Sequence, residues 1–178
     1  MLIHLKIVIF DSLIRLEGEK MSDYNQKLLK HFLNPRNVGV IENPDGFARI
    51  ENPINGYTTD IYLKVEDGHI QDIKFKTYGC TVTIASASAL TDLVKGKNLK
   101  EIVNNRKYLV KIFELMRGEL GGIPEKNWHC LPTSILTLYT AILDYYNRKN
   151  DEKKIAQIKK ILNDINNYFI AKQKEFET

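Results

Sequence analysis

The strongest constraint on how this chain can fold is a change of period at Gly79-Cys80. Before it, Thr59–Glu66 alternates apolar and polar residues, Asp67-Gly68 supplies a tight turn, and Ile70–Tyr78 alternates again through Ile73 and Phe75. A period of two places successive side chains on opposite faces of a strand, and an Asp-Gly pair between two such runs signals a hairpin. An earlier strand is expected near Phe47–Glu51. After Cys80 the small-residue run Ile84–Val94 reads as a helix that stops at Lys95-Gly96. Helical patterns follow at Leu99–Asn104 and Arg106–Arg117. Pro132 falls in the first turn of a last core helix running to about Tyr146, a position that suits proline. A first helix is expected over Asp23–Phe32, capped by Ser22 or Asp23 and ended by Asn34-Pro35. Strands come first and most helices afterwards, so the fold class is α+β: a small antiparallel three-stranded sheet with helices packed on it.

The two ends read differently from the middle. The apolar stretch around Ile7–Phe10 is broken by Lys6 and Asp11, too short to span a bilayer and unlike a secretory signal. Gly18-Glu19-Lys20 before Met21-Ser22-Asp23 suggests that residues 1–20 are an upstream extension of the gene start, with the domain occupying 21–150. From 151 to 178, Ile155, Ile158, Leu162, Ile165 and Phe169 recur at spacings of three and four. They form one stripe of an amphipathic helix, widened by Ile161 and Tyr168. That stripe either covers the domain core or serves as a surface that binds a second copy, as in a homodimer, or another partner.

Composition narrows the function classes. The 178 residues carry 26 Lys+Arg against 22 Asp+Glu, a net charge of +4. The excess is dispersed, as in Lys95, Lys97 and Lys100, so no nucleic-acid-binding stripe is expected. It is compatible with steering an acidic protein partner. Only two cysteines are present, too few to staple a secreted scaffold, which points to a reducing cytoplasmic setting where each thiol needs its own explanation. Cys80 follows a flexible Gly79 at a strand-to-helix junction, and Cys130 precedes a helix with His129 beside it. Helix N-termini stabilise thiolates, the form that binds metal or attacks an electrophile. Spacing alone does not establish that the two cysteines meet. His69 in the hairpin turn and His31 at a helix end read as solvent-exposed. Tyr108, Phe113, Trp128, Tyr139, Tyr145 and Tyr146 read as core or edge aromatics.

The segment from His31 to Tyr146 resembles the U-type iron–sulfur cluster scaffold family, the IscU and NifU-like proteins. The likeness rests on Asn34-Pro-Arg-Asn-Val-Gly39, on Lys74-Phe-Lys-Thr-Tyr-Gly-Cys80 with Ile84-Ala-Ser86 and Val94-Lys-Gly96, and on Gly121-Gly-Ile-Pro124 leading to Trp128-His-Cys130. The resemblance implies a carrier rather than an enzyme. Such a carrier assembles a labile [2Fe–2S] cluster from iron and from sulfur delivered by a cysteine desulfurase, then passes it to acceptor proteins. It also implies a ligand set of three cysteines and an aspartate, with a histidine beside the third cysteine. Thiolates suit iron–sulfur clusters, and imidazole can replace thiolate on one iron.

The chain departs from that pattern at the first cysteine. Aligned backward from Tyr62-Leu-Lys-Val65, Asn55 stands where the resemblance implies the cysteine and Tyr57 where it implies the aspartate, with Gly56 retained. Cys80, His129 and Cys130 therefore match ligand positions. Asp60 is an outside candidate, turned to the opposite strand face by its odd spacing from Tyr57. Ile123-Pro-Glu-Lys126 also lacks the double proline of the motif that a dedicated chaperone reads in the resembled family. Three readings follow: a scaffold for iron or a cluster on Cys80, His129 and Cys130; a paralogue that binds Zn²⁺ or no metal and acts through partner binding; and a thiol enzyme using Cys130. Two thiolates, one imidazole and one oxygen make an acceptable zinc set.

Overall fold

The computed structural model describes residues 24–52, 56–104 and 106–176. The stretch 1–20, and Asn55, expected at a degenerate ligand position, lie outside them. In chain order the elements are α1 (Gln26–Leu33), β1 (Gly46–Glu51), β2 (Thr58–Glu66), β3 (His69–Tyr78), α2 (Thr81–Val94), α3 (Leu99–Asn104), α4 (Arg106–Leu120), a 3₁₀ turn (Glu125–Asn127), α5 (Cys130–Arg148) and α6 (Glu152–Phe176). The expected α+β class holds.

The three strands form an antiparallel sheet in the order β1-β2-β3, with Ala48 opposite Ile61 and Ile61 opposite Phe75. Asp67 and Gly68 both have positive φ, at 49° and 75°. That pairing is a type I′ turn, whose twist matches that of the flanking strands. Ile61, Leu63, Ile73 and Phe75 are buried beneath the helices. On the opposite face Phe47 and Tyr62 stack with ring centroids 4.9 Å apart. There too Arg49 grips Asp60 through two charge-assisted hydrogen bonds of 2.7 and 2.6 Å.

Small residues let α2 sit at the centre. Ala85, Ser86, Ala87, Ser88 and Ala89 are all buried, and α2 touches α1, β3, α4 and α5. A helix with short side chains on every face can be approached from every side. On the other flank α5 runs across β1 and β2, close enough that a Cβ on Gly46 would collide with the Ala141 carbonyl oxygen. Tyr139 is fully buried, and its hydroxyl donates to the Ile102 carbonyl at 3.1 Å.

Two expectations need correction. The expected caps of α1, Ser22 and Asp23, lie outside the described residues; the side chain of Asn25 accepts from the N–H groups of Lys27 and Leu28. Its amide also donates to the carbonyls of Gly121 and Gly122, tying α1 to the loop that leads toward Cys130. His31 is not exposed. It is buried, with Nδ1 2.9 Å from the Ser88 hydroxyl and Nε2 3.2 Å from Glu119, so the polar end of α1 is spent inside the fold. His69 lies in the exposed turn as expected.

The stripe on α6 covers the core. Ile155, Ile158, Ile161 and Ile165 are buried, and α6 lies along α5. Of the two alternatives for that stripe, the structure takes the intramolecular one. Among the described residues, no helix is long and apolar enough to cross a membrane.

A candidate dithiol site

Cys80 and Cys130 meet. Their Sγ atoms lie 3.9 Å apart although 50 residues separate them in sequence. Each sits at the start of a helix: Cys80 is the N-cap of α2, with extended backbone, and Cys130 is the first residue of α5. The sheet delivers the first, because β3 ends at Tyr78 and Gly79 turns the chain directly into α2. The 3₁₀ turn delivers the second by swinging the chain from α4 into α5. Cys130 is buried and Cys80 half-buried, and both are free thiols.

Polar groups that the sequence reading did not single out complete the site. The Thr83 hydroxyl lies 3.4 Å from both sulfurs. Asn127 lies within the buried polar set, and its Nδ2 donates to Cys80 Sγ at 3.6 Å. Thr83 is three positions from Cys80 in helical backbone, so i,i+3 spacing is the signal that could have found it, whereas Asn127 reaches Cys80 across 47 residues and no local signal announces that contact. Space at the site is tight: a Cβ on Gly79 would come within 2.8 Å of the Thr83 side chain.

The Cys80 thiol is brought down to about 6. The leading cause is the hydrogen bond from the Cys130 thiol, opposed by burial. The Thr83 hydroxyl lowers it further, as do the first-turn amides of Thr83 and Val82. Those amides act electrostatically at the helix start, short of a capping hydrogen bond. At neutral pH the pair is therefore a thiolate with a thiol beside it, a nucleophilic and metal-binding combination.

The other candidate residues have separate places. His129 caps α5 with its backbone carbonyl, which accepts from Thr133. Its ring stands edge-on to Trp128 at 5.9 Å, and burial lowers its pKa, which keeps the imidazole neutral. Tyr57 packs edge-on to Tyr78 at 6.4 Å. Its carbonyl accepts from Asn52, whose amide donates to Thr133 in the first turn of α5. Tyr57 is thus tied through Asn52 to the first turn of α5. Asp60 is engaged with Arg49 and the Tyr62 hydroxyl on the sheet face away from the helices. Among the described residues, no group of three or more His, Cys, Asp or Glu side chains gathers into a metal-holding cluster.

Trp128, between the 3₁₀ turn and His129, is held from outside by α6. Its ring lies 5.6 Å from Phe169 and 6.5 Å from Tyr168, and Tyr168 also packs against Phe113.

Comparisons with known proteins identify the family and the fold. Residues 23–152 match the model of the NifU-like N-terminal domain. The chain is 41% identical over 135 residues to an iron–sulfur cluster assembly scaffold protein IscU of Archaeoglobus fulgidus, covering 76% of this chain and 84% of that protein. It is 35% identical over 130 residues to the scaffold protein IscU of Escherichia coli, covering 71% and 96%. The crystal structure of a NifU-like N-terminal domain from Brucella abortus superposes with a TM-score of 0.56 at 20% identity, covering 70% of this chain and 95% of that one. All of α6 after Glu152 lies beyond the matched residues, whereas the sheet, α2 and both cysteine-bearing junctions lie within them, and on that ground the chain belongs to the NifU-like N-terminal domain family.

Proposed function

We propose that the protein is an iron–sulfur cluster assembly scaffold that holds iron and a labile [2Fe–2S] cluster as cargo on Cys80 and Cys130. The observation that carries the reading is the sulfur pair itself: two helix-start cysteines 3.9 Å apart, one of them ionised at neutral pH. Soft thiolates favour iron–sulfur cargo over harder ions. The partial exposure of Cys80 gives cargo a way in and out. The neutral ring of His129, next to Cys130, is the nitrogen donor in this reading and leaves the Trp128 edge to reach the cargo. With only two thiolates from the chain, the cargo is held less firmly than in a closed four-cysteine cage, and release to acceptor proteins follows from that.

Sulfur delivery requires a cysteine desulfurase as partner, and the sparse free thiols suit a cytoplasmic setting. The protein carries cargo rather than turning over a substrate. Relatives named as scaffold proteins support this reading.

Anaerobic reconstitution with iron and sulfide, read by visible absorption and metal analysis, tests it. Sulfur-to-iron charge-transfer bands are expected in the parent and lost in Cys80→Ser and in Cys130→Ser. A colourless parent containing stoichiometric zinc, or no metal, would overturn the scaffold reading in favour of a partner-binding paralogue. Turnover of an electrophile that needs Cys130 alone would favour a thiol enzyme.

A further inference from the structure

Lysines that the sequence spreads over sixty positions are gathered by the fold around one short helix. Helix α3 packs against both α4 and α6, and a cleft opens on each side of it, the two meeting at Asn104. The larger cleft, of about 270 Å³, has Lys100 on its α3 wall and Lys107, Tyr108 and Lys111 on its α4 wall. The smaller, of about 150 Å³, adds Lys160 from α6 beside the buried side chains of Val103 and Ile161. Elsewhere on the surface lysines are matched, Lys64 by Asp45 and Lys95 by Asp72. In the double cleft, no carboxylate among the described residues pairs with Lys100, Lys111 or Lys160. Lys107 and Lys111 also stand four positions apart on one helix face, where like charges repel. Cations collected against that repulsion suit an anionic partner.

We infer that the double cleft is a docking surface for an acidic peptide segment of a partner protein. The spacing fits such a segment. Alternate side chains of an extended peptide point the same way about 6.7 Å apart, close to the separation of about 6 Å between residues four apart on a helix. Successive carboxylates therefore meet Lys107 and Lys111 in turn. Two features select a peptide over a nucleic acid. Glu101 and Asp164 line the same clefts, and an unbroken run of phosphates would meet both, whereas a peptide can set neutral residues against them. Val103 and Ile161 offer aliphatic contacts to a peptide side chain, and the cations are lysines, without the planar fork that grips phosphate in two places. The α6 wall comes from beyond the residues that match the family's domain, and none of these residues belongs to the sulfur site. The inference therefore goes beyond the scaffold reading and does not depend on it.

Fluorescence anisotropy of a labelled hexaglutamate peptide, titrated with the reduced full-length protein at low ionic strength, tests it. Lys100→Glu, Lys111→Glu and Lys160→Glu are compared with Lys30→Glu and Lys76→Glu, which change net charge equally at exposed positions on α1 and β3. Each cleft reversal should weaken peptide binding about fivefold or more, and each control by less than about twofold. Cluster assembly from iron and sulfide should match the parent in all five variants. Should a reversal fail to fold by circular dichroism, the neutral Lys→Gln change at the same position gives the same comparison with a smaller loss. Absence of peptide binding by the parent, or equal weakening by cleft and control reversals, would overturn the docking surface. So would an oligouridylate of equal length that binds more tightly than hexaglutamate and is lost with the same cleft reversals. A parent that binds hexaglutamate through the cleft yet assembles no cluster would uphold the docking surface and overturn the scaffold reading alone.

Discussion

Cys130 and, after it, Thr83 set how Cys80 behaves, and one glycine decides where Thr83 sits. The hydroxyl touches both sulfurs at 3.4 Å, and no side chain fits at Gly79 without displacing it. Because the Cys80 pKa lies below the ordinary thiol range, its thiolate persists as pH falls and is lost only through about pH 6. Alkylation of the folded protein by iodoacetamide should therefore modify Cys80 selectively, with half-maximal rate near pH 6, while buried Cys130 stays protected. Thr83→Val should move that midpoint upward. The same shift makes folding stability pH-dependent. The contribution from ionised Cys80 is present in full above the ordinary thiol range and disappears as pH falls through about 6. Gly79→Ala should lower stability by about 1–3 kcal/mol through overpacking and raise the alkylation midpoint as Thr83 is pushed away. Urea denaturation and rate–pH profiles check the two effects independently.

At the scale of elements, the C-terminal helix is where one sequence pattern allowed two structures. A stripe of isoleucines at spacings of three and four serves equally as a core-facing surface or a dimer seam. The structure spends Ile155, Ile158, Ile161 and Ile165 against its own core. Ile158→Ala should therefore cost about 2–5 kcal/mol in urea unfolding, the loss expected for a fully buried aliphatic side chain. Ile170 is 55% exposed on the same helix, and Ile170→Ser should change stability by no more than about 0.5 kcal/mol. The aromatic contacts of α6 add a second role, since Tyr168 and Phe169 brace Trp128 beside His129 and Cys130. Replacing both with alanine should loosen that loop, read as faster alkylation of Cys130 with the core otherwise folded. The hairpin was the opposite case. Alternation on both arms and an Asp-Gly turn left one register, because slipping by one residue would send Ile61, Leu63, Ile73 and Phe75 to the wrong face.

Across the whole molecule, local signals and long-range ones had different fates. The α+β class, the hairpin, both cysteine-bearing helix starts and the small-residue helix were legible because periodicity, turn chemistry and capping act within a few residues. Family membership was legible too, since its motifs are short and keep their order along the chain. Asn25 was missed as a cap because Ser22 and Asp23 offer the same chemistry nearby. His31 was misread because nothing near it in sequence announces Ser88 or Glu119, its partners across the fold. The sequence by itself determined that two thiols stand at two helix starts; that Asn55 and Tyr57 stand where a cysteine and an aspartate are expected is what the resemblance implies. Only the tertiary structure decided that the sulfurs lie 3.9 Å apart, that Thr83 and Asn127 join them, and that Asp60 is tied to Arg49 instead. The reason is physical: contacts across 50 residues are set by how α2 and α5 pack on one sheet, and no local propensity encodes that distance.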